Sequence, residues 1–210
     1  MTLFDGIAAR IVETPGLSVN VLERTADDPA TPPDRTVALI HGNASSSLFW
    51  QELMQDLPHD LRVIAIDLRG YGGTEHAPID ATRGVRDFSD DVHATLEALD
   101  IPTAHLVGWS LGGAVVMQYA LDHPVLSLTL EAPVSPYGFG GTRRDGTRLT
   151  ADDAGTGGEV TEIDLPDTAH TPHLERPAEF RHALLEVIGY VGHPHNPAPP
   201  TEAIILRSSD

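Results

Sequence analysis

The stretch Gly108-Trp109-Ser110-Leu111-Gly112-Gly113 decides how this chain folds. It follows the run His105-Leu106-Val107 and precedes an apolar run, residues 114–120, that is typical of a helix. A serine between glycines at a strand-to-helix turn takes a strained backbone conformation, and its small neighbours let strand and helix approach closely. The pattern therefore predicts a sharp turn that exposes the Ser110 hydroxyl at the end of a buried strand.

Such a turn is typical of a nucleophile elbow. The helix that begins after Ser110 directs free backbone N–H groups and the positive end of its dipole toward the serine oxygen. The short motif also occurs in ordinary strand-to-helix turns. The rest of the chain must therefore distinguish a catalytic serine from a structural one.

The composition of the chain excludes several functional classes. The chain has 210 residues, 40% of them hydrophobic, which predicts one globular domain. It has no cysteine, which excludes disulfides, thiol catalysis and cysteine zinc sites, and fits a cytoplasmic location. A net charge of −18 argues against a nucleic-acid partner. No apolar stretch is long enough to span a bilayer, so we expect no membrane partner.

Strand and helix patterns alternate along the chain. Residues 9–22 alternate like a hairpin, and later short apolar runs are separated by helical stripes. This order predicts an α/β fold, a mostly parallel, doubly wound sheet with helices on both faces. Active sites of such sheets lie at the carboxyl ends of the strands. The residues expected at those ends are His41, Asp67, Ser110 and Glu131.

Three motifs follow one another along the chain: His41-Gly42-Asn43, residues 67–72 and residues 108–112. Together, and in this order, they make the chain resemble an α/β-hydrolase of the esterase, proline iminopeptidase-like and dehalogenase type. A fourth stretch, residues 167–177, resembles the histidine loop of that family. The resemblance covers about residues 9–141 and 160–191, and it implies the α/β-hydrolase fold.

The resemblance implies catalytic roles for individual residues. Ser110 would be the nucleophile, and His170 would be the general base that activates it. His173, one helical turn farther on, is the alternative base. The backbone N–H groups of Leu111 and Asn43 would form the oxyanion hole.

The substrate site is expected to include Trp109, His41 and Tyr137. The alternative for His41 is a structural role, in which its ring ties the oxyanion loop and takes no part in proton transfer. Asn43 and Trp109 also resemble the halide-binding pair of haloalkane dehalogenases. Those enzymes carry an aspartate at the position of Ser110, so the resemblance favours acyl transfer over dehalogenation.

Part of the family pattern is missing. Residues 138–159 form a polar, Gly- and Asp-rich loop in place of the helical cap and the usual acid-bearing strand. We therefore expect a cap-less core domain over residues 1–191, shortened at its C-terminal edge, and a Pro-rich tail over residues 192–210. A strand at 159–163 would leave an exposed sheet edge through which a homo-oligomer could form. The sequence does not tell whether this shortening is natural or an internal deletion.

Glu131 is the first choice for the carboxylate that completes a catalytic triad with His170. Some relatives place the acid after the sixth strand, and the chain order Ser…Glu…His is kept. The alternatives are a loop carboxylate from Asp145, Asp152 or Asp153, or no acid at all.

These features lead to two functional hypotheses. The first is a serine hydrolase that cleaves a small ester, thioester, lactone or amide through an acyl-enzyme and needs no metal or organic cofactor; perhydrolysis would use the same residues with another acyl acceptor. The second is a catalytically impaired protein of this fold that acts in binding or interaction. The acyl group and the natural acceptor are not identified by the sequence.

Overall fold

One eight-stranded sheet organises the fold. The computed structural model describes residues 2–27, 35–134, 159–165, 168–190 and 202–208. The strands are β1 (Ala8–Glu13), β2 (Ser18–Arg24), β3 (Thr36–Ile40), β4 (Arg62–Ile66), β5 (His105–Trp109), β6 (Ser127–Glu131), β7 (Glu159–Leu165) and β8 (Glu202–Ser208). The α-helices are α1 (Gln51–Asp56), α2 (Arg86–Ala98), α3 (Leu111–Asp122), α4 (Pro172–Glu175) and α5 (Pro177–Val187).

The strand order is β1-β2-β4-β3-β5-β6-β8-β7. The β1–β2 hairpin is antiparallel, and β2 also runs antiparallel to β4. All pairs from β4 to β7 across the sheet are parallel. The predicted hairpin and the predicted parallel sheet are thus confirmed. The parallel arrangement brings the carboxyl ends of β3, β5, β6 and β7 to one edge, which is where the candidate site lies.

Side chains of the central strands pack alternately on the two faces of the sheet. On β3, Val37 and Leu39 join one apolar cluster, whereas Ala38 and Ile40 join the other. Both faces are buried because helices cover each of them, so the strand reads as a continuous apolar run. This explains why the strand could be recognised from its sequence.

The helices divide between the two faces as expected for a doubly wound sheet. Apolar residues of α2 and α3 pack in the first cluster, and those of α1 and α5 pack in the second. Residues 112–117 of α3 are all buried, because this helix packs against β5 and β6 and also against α2. The tight packing of α3 against β5 fixes the position of the turn that joins them.

The C-terminal segment differs from its sequence-based interpretation as a tail. Residues 202–208 form β8, which lies between β6 and β7 and runs parallel to both. The sheet therefore gains a strand where the sequence indicated a shortened edge, and β7 is the edge strand. The Pro-rich composition of residues 192–200 concealed this strand, because a strand is stabilised by its neighbours and not by local propensity alone. The loop expected over 138–159 lies outside the described residues, apart from its end in β7.

Candidate active site

The turn between β5 and α3 has the strained geometry that the sequence predicts. Ser110 has φ 53° and ψ −112°, in a region that residues with a side chain rarely adopt. A Cβ at Gly108 would lie 2.4 Å from the Gly112 oxygen, and a Cβ at Gly112 would lie 2.2 Å from the Ile40 oxygen. Only glycine fits at these two positions, so both residues serve the close approach of strand and helix.

Ser110 and His170 are brought together at this turn. Nε2 of His170 lies 3.0 Å from Oγ of Ser110, within hydrogen-bond distance. The Ser110 residue is 6% exposed, whereas His170 is exposed at the surface. A base at this distance can accept the hydroxyl proton of a serine, which is the geometry that nucleophilic catalysis requires.

Two groups hold the loop that carries His170. The indole N–H of Trp109 donates a hydrogen bond of 2.5 Å to the backbone oxygen of His170. The Glu175 carboxylate accepts hydrogen bonds from the N–H groups of Ala169, at 2.7 Å, and Thr171, at 2.8 Å. The Ala169 N–H is the main reason that the pKa of Glu175 lies below its ordinary value. Glu175 was not among the site residues expected from the sequence, although its place five residues after His170 was a usable signal.

Glu131 pairs with His173 and not with His170, which corrects the expectation drawn from the sequence. Oε1 of Glu131 lies 2.6 Å from Nδ1 of His173 and accepts a hydrogen bond of 2.9 Å from its backbone N–H. The His173 ring is enclosed by Trp50, with ring centroids 4.2 Å apart, and by Trp109, at 5.4 Å. Sequence spacing could not distinguish the two histidines, because which of them faces the end of β6 depends on how the loop turns.

No carboxylate hydrogen-bonds to His170 within the residues that the structure describes. The loop alternatives Asp145, Asp152 and Asp153 lie outside that part of the chain. The serine and the histidine therefore stand as a pair in the described site, and the third member of a triad is not assigned.

His41 is buried and has the structural one of the two roles that the sequence suggested for it. Its side chain is fully buried, and its Nε2 accepts a hydrogen bond of 3.0 Å from the N–H of Leu68. Nδ1 therefore carries the proton and donates to the Gly42 oxygen at 2.7 Å. Burial lowers the pKa of His41, so the neutral ring persists at neutral pH. The ring ties the loop after β3 to the loop after β4.

The loop after β3 lies directly against the strained turn. A Cβ added at Gly42 would lie 3.0 Å from Cβ of Ser110. Asn43 follows at the surface, and its side-chain oxygen accepts a 2.7 Å hydrogen bond from the Tyr71 hydroxyl. Leu111 is the first residue of α3, where backbone N–H groups have no partner within the helix. The residues expected to form an oxyanion hole thus flank Ser110 from two sides.

Aromatic residues form one wall beside the serine. Trp109 is almost buried, and Phe49, which is 39% exposed, stacks on it at a centroid distance of 6.0 Å. Phe49 lies in a short 3-10 turn, Ser47–Trp50, that precedes α1. Tyr137, the remaining expected wall residue, lies outside the described residues. Within the described ranges, no cluster of three acidic or histidine side chains could hold a metal ion.

Comparison with known proteins identifies relatives with hydrolytic functions. A family model described as "alpha/beta hydrolase fold" matches residues 35–177. RutD of Variovorax paradoxus (strain S110), provisionally named a carbamate hydrolase, is 44% identical over 97 residues, 45% of this chain and 36% of RutD. The monoacylglycerol lipase abhd6-A of Xenopus laevis is 32% identical over 107 residues, 47% of this chain and 30% of the lipase.

A solved structure also superposes on part of this chain. The haloalkane dehalogenase DatA of Agrobacterium tumefaciens C58 superposes with a TM-score of 0.52 and 27% identity, over 61% of this chain and 42% of DatA. The chain thus spans less than half the length of each of these three proteins. In the part of the chain that the structure describes, no helix is both long and apolar enough to cross a membrane.

Proposed function

Because this chain belongs to the α/β-hydrolase fold family, we propose that it is a serine hydrolase in which Ser110 attacks a carbonyl carbon and His170 is the base. The observation that carries this proposal is the 3.0 Å contact between Ser110 Oγ and His170 Nε2 at a strained strand-to-helix turn. Backbone strain of about 1–3 kcal/mol persists only where the surrounding structure enforces it, and it concentrates at functional sites.

The reaction would proceed through an acyl-enzyme. His170 takes the Ser110 proton as the oxygen attacks, and returns it to the leaving group when the tetrahedral intermediate collapses. The developing oxyanion would be held by the N–H groups of Leu111 and Asn43, which flank the serine. Water, activated by the same histidine, then hydrolyses the acyl-enzyme and restores Ser110.

The substrate class follows from the nucleophile and from the relatives. A serine suits acyl transfer from a small ester, thioester, lactone or amide, and a carbamate presents the same kind of carbonyl. One relative is provisionally named a carbamate hydrolase and another a monoacylglycerol lipase, which supports a carbonyl substrate. The Phe49–Trp109 wall beside the serine would contact an apolar acyl group.

A second candidate function is ligand binding with very slow turnover. It is favoured by the pairing of Glu131 with His173, because this leaves His170 without a hydrogen-bonded carboxylate in the described site. In a serine protease, loss of the triad acid lowers turnover by about four orders of magnitude. A protein of this kind would bind carbonyl ligands and hydrolyse them slowly.

Hydrolysis of short p-nitrophenyl esters tests the proposal. The wild type is compared with Ser110→Ala and with the matched control Ser89→Ala, which removes a hydroxyl buried on α2 that has no hydrogen-bond partner in the described residues. We expect turnover to fall to background in Ser110→Ala and to be unchanged in Ser89→Ala. Equal rates in the wild type and Ser110→Ala would refute the serine hydrolase and favour the binding function.

A further inference from the structure

A fully buried pair of ionisable side chains lies beside the candidate site. Glu131 is the last residue of β6, and its Oε1 contacts both Nδ1 and the backbone N–H of His173, at 2.6 and 2.9 Å. Neither side chain exposes any surface. One carboxylate oxygen thus fixes the ring and the backbone of the same residue.

Stability does not explain this pair. Moving two ionisable groups out of water is unfavourable, and apolar residues of similar volume are often equally or more stabilising at such positions. Oε2 of Glu131 and Nε2 of His173 also have no hydrogen-bond partner within the described residues, which makes the contribution of the pair to the free energy of folding less favourable still. Hydrogen bonds are directional, so they fix a single orientation of the segment that they hold, which apolar packing alone does not do.

The segment that the pair holds is the one that carries the base. His173 lies in α4, three residues after His170, and α4 is a single turn that begins at Pro172. His170 itself is exposed, and within the described residues the aromatic ring that contacts its own is that of Trp109, at a centroid distance of 5.7 Å. Its distance to Ser110 therefore depends on where the loop is anchored on either side.

Trp109 links the buried pair to the base. Its indole N–H donates to the backbone oxygen of His170 at 2.5 Å, while its ring lies 5.4 Å from the ring of His173. On the opposite side, Trp50 packs on His173 at 4.2 Å. A change in the ring of His173 would shift Trp109 and, with it, the backbone of His170.

We propose that the pair Glu131–His173, here called the latch, fixes the position of the loop that carries His170 and so keeps the His170 ring within hydrogen-bond distance of Ser110. Glu131 supports the base through His173, and both are positioning residues that do not touch the reacting atoms. This inference rests on the proposed function, because it concerns the base of that reaction. It assigns a role to a carboxylate that does not contact His170.

The test uses apolar variants of the latch together with a matched control. Glu131→Leu, His173→Leu and the double variant are compared for kcat, KM and urea midpoint. The control is His105→Leu, because His105 is also buried and joins β5 to β6 through Ser127 at 2.8 Å, but at the amino ends of those strands.

We expect each single latch variant to lower kcat at least about tenfold with KM changed less than about threefold, as misplacement of a base does. In the double variant the urea midpoint recovers toward the wild type, because no unpaired buried charge remains, but kcat stays low. The conservative pair Glu131→Gln with His173→Asn, which keeps a neutral hydrogen bond, recovers part of the lost kcat.

Two outcomes of the kinetic test would overturn the latch. One is recovery of kcat together with stability in the double leucine variant, because apolar packing would then suffice. The other is an equal loss of kcat in His105→Leu, because general destabilisation would then explain the effect.

The Cε1–H resonance of His170, assigned by its loss in His170→Gln, separates failure of the latch from failure of the proposed function. We expect this resonance to shift or broaden in the leucine variants of Glu131 and His173. A shift in a protein without Ser110-dependent turnover would support the latch and refute the hydrolase. An unchanged resonance in a protein with such turnover would overturn the latch alone.

Discussion

A methyl group added at position 42 would press the loop after β3 against the strained turn. In Gly42→Ala the new Cβ would lie 3.0 Å from Cβ of Ser110 and 3.0 Å from Cε3 of Trp109. Carbon atoms pack favourably at about 3.5–4.0 Å, so the loop or the serine must move by about half an ångström. Overpacking of this kind destabilises a protein by about 1–3 kcal/mol.

The same displacement should weaken catalysis. Asn43 follows the substituted residue, and its N–H is proposed to stabilise the oxyanion together with that of Leu111. Loss of one well-aligned donor raises the barrier by about 2.7–4 kcal/mol, and a partial misalignment by about half of this. We therefore expect kcat to fall about tenfold to thirtyfold, with a smaller change in KM.

The assay is p-nitrophenyl acetate hydrolysis alongside urea unfolding. The matched control is Gly16→Ala, because a Cβ at Gly16 would meet no atom within 4 Å. We expect this control to leave kcat unchanged and the free energy of unfolding within about 0.5 kcal/mol of the wild type. If Gly42→Ala shifts the urea midpoint but leaves kcat within about twofold of the wild type, the assignment of the oxyanion loop is refuted.

Three further predictions concern the scaffold. Burial raises the pKa of Tyr119 to about 12 from 10.0. The free energy of unfolding should therefore fall by up to about 3 kcal/mol as the pH rises from 10 toward 12, and urea unfolding of Tyr119→Phe should not show this fall. The Asp67 carboxylate accepts hydrogen bonds from the backbone N–H groups of Ser47, at 2.6 Å, and Gly73, at 2.8 Å. Asp67→Leu removes this acceptor and should lower the free energy of unfolding by at least about 2 kcal/mol in urea titrations. Truncation after residue 201 removes β8 and its pairing with β6 and β7 and should lower the thermal midpoint, whereas the control truncation after Ser208 keeps β8 and should leave the thermal midpoint unchanged.

Much of the fold could be predicted because its signals are local. The continuous apolar run of β3 and the glycines around Ser110 each reflect a constraint that acts within a few residues. β8 was overlooked because its place between β6 and β7 is set by pairing with residues far away in the chain. Strand pairing of that kind leaves little trace in the sequence of one strand.

The candidate site was predictable in its parts but not in its pairings. The order of the motifs indicated Ser110 and His170, whose side chains lie within hydrogen-bond distance. The partner of Glu131 could not be inferred, because His170 and His173 are only three residues apart and the contacts that turn His173 inward, such as its packing on Trp50, come from distant parts of the chain. A structural role for His41 was expected, but its partner, the Leu68 N–H of a different loop, could not be inferred.

The role of Ser110 as a nucleophile activated by His170 underlies every other assignment in the site. Reaction with a serine-directed fluorophosphonate, followed by mass spectrometry of the peptides, tests it in the wild type and in His170→Gln. We expect one adduct per chain, located on Ser110, that forms at least about a hundredfold more slowly in His170→Gln because the general base is lost. No adduct on Ser110 in the wild type, or equal rates in the two proteins, would refute these roles of Ser110 and His170.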